Sequence, residues 1–410
     1  PWWSRLLVRL FADAEMSRRF DRRVAAALSA RGARVKLVSD PARACLFVPR
    51  VGTCLSVNKC PLPTFLAQWR LRALPFWNGT GRNHVLLDHF DSAGASHLPR
   101  GASGAGMSMR SAPSARHFRP GFDIALPLLG KMSAYRRVVM GGRGDKDGDI
   151  AGNASSRFAF AQRKVLVGFL GAPTTPPDGD RAGADSTVGV QGIRQLLRTL
   201  HEPASRVVVR VREPKCKVPC KRHAPEFRTE YMDVLLTSRF QLVPRGNGLH
   251  SHRLLESLSA GSIPIIVADG IVLPFSGIIP WNEAVVMLAE SEWQSIPAVA
   301  RRIEADPVSA RSKQCAGLAI YRNFFMRPGG GSIGLAFRLL QSRVRSNPMF
   351  LGTAIVSRGA GVPGATTAQR QRRVLTAWPL GREPAMPKFC KGSKGWTVVE
   401  LAAQRLTLAH

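Results

Sequence analysis

Apolar and polar positions alternate in short units along this chain, without any long repeat. Residues 14–30 carry the spacing of an amphipathic helix, and Gly32 follows it as a stop. Val35-Lys-Leu-Val38 reads as a short strand. Asp40-Pro opens a helical turn that leads to the buried strand Cys45-Leu-Phe-Val48, and residues 61–74 form the next helix. A Gly/Asn-rich turn, Pro75-Phe-Trp-Asn-Gly-Thr-Gly-Arg-Asn-His84, enters the strand Val85-Leu-Leu87. Residues 92–116 are rich in Ser, Gly and Ala and read as loop, and a short strand is expected at Phe122–Pro127.

A second series of buried elements starts at Val165-Leu-Val-Gly-Phe-Leu170. It continues through a helix over 191–200, the strand Val207-Val-Val-Arg-Val211 and a helix over 226–237. The segment 239–267 then supplies strand, glycine-rich turn, helix and strand. Helices near 283–305 and 307–327 complete the core. Two polar stretches, 141–156 and 172–190, have the Gly, Asp and Ser content of flexible insertions. From about residue 346 Gly, Pro, Thr and Arg interrupt every apolar run. Residues 351–410 hold 9 Lys and Arg against 2 Asp and Glu, so a poorly ordered basic tail is expected over 346–410.

Strand and helix alternate in both halves. That pattern makes parallel sheets with crossover helices, an α/β protein of two sheet domains, 1–163 and 164–345, facing a cleft.

Composition narrows the class only partly. At 410 residues and 45% apolar content the chain can bury a large core. A formal charge of +32 favours anionic partners: nucleic acid, phosphorylated cofactors, acidic polysaccharides or membrane surfaces. Seven cysteines in this length do not make a disulfide scaffold, though Cys216 and Cys220 could bridge locally in an oxidising compartment. Cys-x-x-Cys pairs and zinc-like His spacing are absent. No apolar run of about 18 residues predicts a membrane span. The chain starts Pro-Trp-Trp without an initiator Met, which leaves room for an upstream signal or anchor.

The segment 239–267 carries the chemistry. Phe240-Gln-Leu-Val243 is apolar enough for a central parallel strand, and Pro244 ends it. Gly246 and Gly248 permit sharp turns, Ser251 is an N-cap candidate, and Leu254, Leu255 and Leu258 form the buried stripe of the helix. The end of a parallel strand beside a helix start is where α/β sheets bind phosphates. Arg245, His250 and Arg253 add cations there, and Glu256 could accept hydrogen bonds from a vicinal diol. The competing reading is an Arg253–Glu256 ion pair on a solvated helix face.

The whole segment resembles the donor-binding signature of the exostosin family, inverting glycosyltransferases of the heparan-polymerase type. The matching elements are Phe240-Gln-Leu-Val-Pro-Arg-Gly246, Ser251-His-Arg-Leu-Leu-Glu256, Ala260-Gly-Ser-Ile-Pro-Ile-Ile-Val267 and Leu273-Pro-Phe-Ser276 with Trp281-Asn282. Asp40–Val48, Trp77–His84, Phe118–Asp123 with Pro127, and the strand at 165–169 agree in order. The resemblance spans roughly residues 10–330.

It implies a GT-B fold of two Rossmann-like domains. The domain over 1–163 would face the acceptor and that over 164–345 would hold a UDP-sugar. Donor contacts would come from Arg245, Gly246, Ser251, Arg253 and Glu256, with the arginines on the diphosphate and Glu256 on the ribose. The family also implies a Golgi-lumen enzyme on an N-terminal membrane anchor, with a homo- or hetero-oligomer including a related transferase as a further expectation. Nothing after residue 346 resembles the second transferase domain of the animal polymerases.

Transfer also requires a base for the acceptor hydroxyl. Asp88, His89 and Asp91 cluster at a strand exit in the N-terminal half, each equally readable as a capping or turn residue. Trp77, Asn78 and His84 are acceptor-side candidates, although Trp77 also suits a core and Asn78-Gly-Thr80 also fits a glycosylation acceptor, as Asn153-Ala-Ser155 does. The pairs Asp145/Asp147, Asp147/Asp149 and Asp178/Asp180 sit in the insertions without flanking strands. A cationic pocket already neutralises diphosphate, so no metal cofactor is expected. Two other readings stay open: a non-catalytic binder of acidic glycans, and a basic nucleic-acid-binding protein, for which no zinc finger or other recognisable module appears.

Overall fold

The computed structural model describes residues 8–12, 35–38, 44, 46–48, 72, 76–77, 80–88, 106–111, 113–128, 133–135, 138, 158–173, 192–211, 225–246, 248–326, 331–346 and 387–408. All sheet pairing between named strands is parallel. In the N-terminal half, β1 (Val8–Ala12) lies between β2 (Val35–Val38) and β3 (Leu46–Val48). A second group places β5 (Met107–Arg110) between β4 (Val85–Asp88) and β6 (Ile124–Ala125). The bridge Phe47–His84 joins the two groups, so the strands run 2-1-3-4-5-6.

The C-terminal sheet has five strands: β7 (Val165–Gly171), β8 (Val207–Val211), β9 (Ser238–Pro244), β10 (Ile263–Val267) and β11 (Val286–Leu288), in the order β11-β10-β9-β7-β8. Helices cover both faces, because the strand residues are apolar on both. Phe240 and Leu242 pack with α1 (Ile193–Arg198) and α4 (Ile296–Glu304). Val243 and Ile266 face the other side, with α3 (Arg253–Ala260) and α5 (Pro307–Ile320). Leu170 packs with Tyr231 and Leu235 of α2 (Pro225–Thr237). The result is the α/β architecture of a GT-B-type fold.

One apolar cluster is continuous across both halves. It links Leu46, Val85 and Met107 with Leu318, Trp281 and Leu335, so the N-terminal strands and the C-terminal helices share a core. Within the C-terminal half, buried Arg163, ahead of β7, ties the start of β9 to the end of α3. Its guanidinium donates to the Ser238 carbonyl at 2.8 Å, the Ser262 hydroxyl at 2.9 Å and the Ala260 carbonyl at 2.5 Å.

Three expectations need correction. The stretch 92–116 contains a central strand, Met107–Arg110: its short apolar positions alternate with Ser108 and Arg110, and its pairing is tertiary. The region expected as one helix over 283–305 begins with the edge strand β11 and a 3-10 turn before α4, since Pro297 fixes the helix start.

The third correction lies within the expected tail, where residues 387–408 are folded. After α6 (Gly331–Ser346), a 3-10 turn leads into α7 (Lys394–Leu408), whose Trp396 and Val399 join the core. The disulfide Cys315–Cys390 clips this segment to α5. Gly395 is obligatory in that contact, because any Cβ there would meet the Ser312 carbonyl of α5. The helix 14–30, the polar insertions and Cys216 and Cys220 lie outside the described residues. Among the described residues no helix is long and apolar enough to cross a membrane.

Candidate active site

The site is assembled where β7 and β9 end. These are the first and third strands of the C-terminal sheet in chain order, and they lie side by side because the chain winds outward from them in both directions. Connections from such neighbouring strands leave on opposite faces, which opens a crevice at their carboxyl ends.

Arg253, the first residue of α3, enters that crevice. Its guanidinium donates to the Leu170 carbonyl at the end of β7. It lies 4.3 Å from the Phe169 ring centroid and 5.2 Å from that of Tyr231 in α2. Two aromatic faces and a carbonyl thus hold the cation in one orientation. Gly171 makes this approach possible, since a Cβ at that position would collide with the guanidinium. Arg194 of α1 comes from the other face, donating to the carbonyls of Arg245 and Ala172 at 3.1 Å each.

Glu256 follows on the same side of α3. It is 5% exposed and accepts a hydrogen bond from the Tyr231 hydroxyl. Burial raises the pKa of that hydroxyl, so it remains a donor at neutral pH. Tyr231 therefore touches both candidates, ring to Arg253 and hydroxyl to Glu256. No ion pair joins Arg253 to Glu256 among the described residues, and Glu256 is buried. The reading as an ion pair on a solvated face does not hold.

Arg245 and Gly246 occupy the β9 exit and are both buried. Arg245 Nε lies 2.9 Å from the carboxylate of Glu290, which has no exposed surface. Burial raises the Glu290 carboxyl above its ordinary value, and the Arg245 guanidinium lessens that rise without cancelling it. The cation expected to face a diphosphate is thus answered by a buried carboxylate, while Arg253 and Arg194 are partly exposed.

His250 is likewise no cation. Burial lowers its pKa to about 4, and its Nε2 lies 2.8 Å from the Val272 carbonyl, so the proton sits on Nε2. The imidazole pins the glycine-rich turn to the segment after β10. Ser251 lies two residues ahead of α3, whose N-cap position is His252 and not Ser251 as expected; its hydroxyl accepts from the Arg253 amide at 3.4 Å and its carbonyl from the Leu254 amide at 3.2 Å.

The N-terminal candidates divide differently. Trp77 is 2% exposed and His84 is fully buried, with their rings 4.7 Å apart. Phe47 lies 5.4 Å from His84 on another side. Gly81, at φ +62°, sits so close to Trp77 that a Cβ would come within 2.5 Å of the indole. Burial lowers the His84 pKa to about 4. This is a packed aromatic layer, and it corrects the expectation that Trp77 and His84 meet an acceptor: a sugar has no access to either ring. Asp88 ends β4 in register with Arg110. The Asp88 side chain, Asn78, His89, Asp91 and all three Asp-x-Asp pairs lie outside the described residues. Among the described residues no group of three or more His, Cys, Asp or Glu could hold a metal ion.

Sequence reasoning missed Tyr231, Arg194, Glu290 and Gly171. Only Gly171 carried a local signal, a glycine closing an otherwise apolar strand. The other three reach the site from remote elements.

Comparison with known proteins shows the family. The family pattern described as the exostosin GT47 domain matches residues 15–303. Exostosin-1c of Danio rerio is 31% identical over 289 residues, which cover 67% of this chain and 36% of that protein. The Exostosin-1 homolog of Caenorhabditis elegans is 31% identical over 255 residues, 58% of this chain and 60% of the relative. Exostosin-1 of Bos taurus is 28% identical over 290 residues, with 67% and 35% covered. This chain thus spans little more than a third of the vertebrate relatives it matches.

Proposed function

The chain belongs to the exostosin GT47 family, and from that premise we propose that it is an inverting glycosyltransferase. It moves a hexosyl or glucuronosyl group from a UDP-sugar to a polysaccharide or glycoprotein glycan. The observation that carries this reading is the unit Arg253–Tyr231–Glu256 at the carboxyl ends of β7 and β9.

Its parts match the needs of the reaction. A departing nucleoside diphosphate accumulates negative charge on its β-phosphate, and preformed cations in a partly desolvated site stabilise it without rearrangement. Arg253 is held for that task by Phe169, Tyr231 and the Leu170 carbonyl, and the amino end of α3 adds a favourable dipole. Arg194 is the second cation of the crevice. Glu256 has one oxygen on Tyr231 and another with which to accept from a ribose hydroxyl. Arg245, paired with Glu290, fixes the turn between them.

The proton of the acceptor hydroxyl goes to a carboxylate or imidazole at the β4 exit: Asp88, His89 or Asp91 in this reading. Inversion follows when the acceptor attacks the anomeric carbon opposite the leaving diphosphate. Diphosphate charge is met by arginine, so the reading needs no metal.

A Golgi-lumen location fits the buried Cys315–Cys390 bond, which belongs to an oxidising compartment. Membrane attachment and oligomerisation with a related transferase are part of the same proposal.

The test is a panel of UDP-sugars screened by thermal shift, followed by transfer assays with the binders. The expected outcome is stabilisation by UDP and at least one UDP-sugar, with transfer to a glycan acceptor. Binding without donor hydrolysis or transfer would favour the non-catalytic glycan binder. No stabilisation by any uridine nucleotide sinks the proposal.

A further inference from the structure

The sequence holds three tyrosines, and all three stand beside α3. Tyr231 donates to Glu256. Tyr321 follows α5 and opens a π-helical turn, Tyr321–Phe325, closed by the Met326 amide on the Tyr321 carbonyl at 2.9 Å. Single π-helical turns recur at functional sites. Tyr135, from the N-terminal half, is fully buried and stacks on Tyr321 with ring centroids 5.7 Å apart.

The short segment Ser133-Ala134-Tyr135 is tied down at two further points. The Tyr321 hydroxyl donates to the exposed Ser133 hydroxyl at 2.9 Å. The Ala134 amide donates to the Ser259 hydroxyl at 3.0 Å, and Ser259 donates in turn to the Glu256 carbonyl at 2.7 Å. Ala134 also shares an apolar cluster with Tyr231 and Leu170. A strip of the N-terminal half therefore touches the residues that orient Arg253 and Glu256.

Electrostatics agree with this proximity. Burial raises the pKa of the Tyr321 phenol, the Ser133 bond offsets part of that rise, and the Glu256 charge adds to it. The phenol stays protonated at neutral pH and keeps donating. The turn that carries it is fixed from α7: Arg322 pairs with Glu400 at 3.0 Å, and its guanidinium lies 5.4 Å from the Trp396 ring centroid.

We propose that Tyr321 is a positioning residue of the donor pocket: it holds Ser133–Tyr135 against α3 and thereby sets the Tyr231–Glu256 bond. That Glu256 meets a ribose rests on the glycosyltransferase reading. The clasp between Tyr321 and Ser133 rests on the contacts alone. Its effect is reciprocal by linkage. Seating the segment favours the nucleoside, and the bound nucleoside seats the segment, so the N-terminal half responds to an occupied donor site.

The experiment uses the full chain and two readouts: calorimetric affinity for uridine, UDP and inorganic pyrophosphate, and hydrogen exchange at the Ala134 amide. Tyr321→Phe and Ser133→Ala should each weaken uridine and UDP by about fivefold, the worth of one hydrogen bond, and leave pyrophosphate unchanged. The double variant should lose no more than either single one. Ser133→Thr keeps the hydroxyl and should bind as wild type does. Tyr135→Phe removes a phenol oxygen that has no hydrogen-bond partner among the described residues, so it should move neither readout. Exchange at Ala134 should quicken about fivefold in Tyr321→Phe, and uridine should slow it in the wild type.

Equal loss for pyrophosphate, or lower thermal stability with unchanged nucleoside affinity, would reduce the pair to a structural contact and overturn the positioning role. Additive losses in the double variant would overturn the clasp. So would unchanged Ala134 exchange in Tyr321→Phe while nucleotide binding stays intact. Were the wild type to bind no uridine nucleotide, the donor reading would fall and the positioning role with it. Quickened exchange would then leave the clasp standing as a contact between the halves.

Discussion

Both halves of the molecule wind the same way. The C-terminal sheet runs second-first-third-fourth-fifth in chain order, and the N-terminal strands run second-first-third-fourth-fifth-sixth. Among the described residues, the C-terminal switch point gathers three arginines and a buried carboxylate held by a tyrosine. Around β3 and β4 the N-terminal strands bury an aromatic layer in which a neutral histidine packs against Trp77 and Phe47. The two halves share a strand order, and the side chains described on each differ in kind. A shared fold therefore does not imply a shared task.

The sharpest break of this comparison separates proton removal from donor binding. Asp88→Asn or Asp91→Asn should lower transfer by about a hundred- to ten-thousand-fold while UDP affinity stays put. If neither variant changes kcat, His89 is the remaining candidate, and an equally silent His89→Gln would place the base outside the β4 exit.

The next effect concerns stability. Cys315 and Cys390 are 75 residues apart. Removing that cross-link with Cys390→Ala should cost about 4 kcal/mol by loop-closure entropy. Urea unfolding measures the loss, and a change under 1 kcal/mol would mean that α7 docks by packing alone.

Acid should strain both halves alike. An imidazole ordinarily titrates near 6.5. His84 and His250 are each held at about 4 in the folded protein. The unfolded chain binds more protons between those values, so stability is full above pH 6.5 and declines as pH falls towards 4. Each histidine contributes roughly 3 kcal/mol to that decline. His84→Gln should remove the N-terminal share. An acid profile identical to wild type would show that His84 is protonated when folded.

Arg253→Ala should weaken UDP by about thirty- to a hundredfold, the loss of charge-assisted hydrogen bonds in a partly buried site. The smallest expected effect is that of Tyr231→Phe. It keeps the ring beside Arg253 and removes only the bond to Glu256, so UDP should weaken about tenfold, with uridine affected as much as UDP. A loss confined to UDP would assign Tyr231 to the diphosphate, and an unchanged uridine affinity would remove Glu256 from the ribose.

The C-terminal sheet was the more legible half because its strands are buried on both faces. Continuous runs such as Ile263–Val267 and Val165–Gly171 are recognisable without knowing their neighbours. Met107–Arg110 escaped notice since half its positions are polar and only pairing with β4 and β6 makes it a strand. The folded end was hidden for a related reason. Lys394–Leu408 has a weak stripe of its own, and its order comes from Trp396, Val399 and a cystine partner far away in sequence.

The amino-acid order by itself determined the alternation of strands and helices, the glycine-rich turn at 246–248 and the adjacency of Arg253 and Glu256, because these depend on spacing within one or two helical turns. Tertiary structure alone decided which charges are answered internally. Glu290 reaches Arg245 from another loop, Tyr231 reaches Glu256 from another helix, and burial strips His250 of its charge. The physical reason is that a side chain's charge state and hydrogen-bond partner depend on desolvation and on groups brought near by folding, and neither can be read from residues adjacent along the chain.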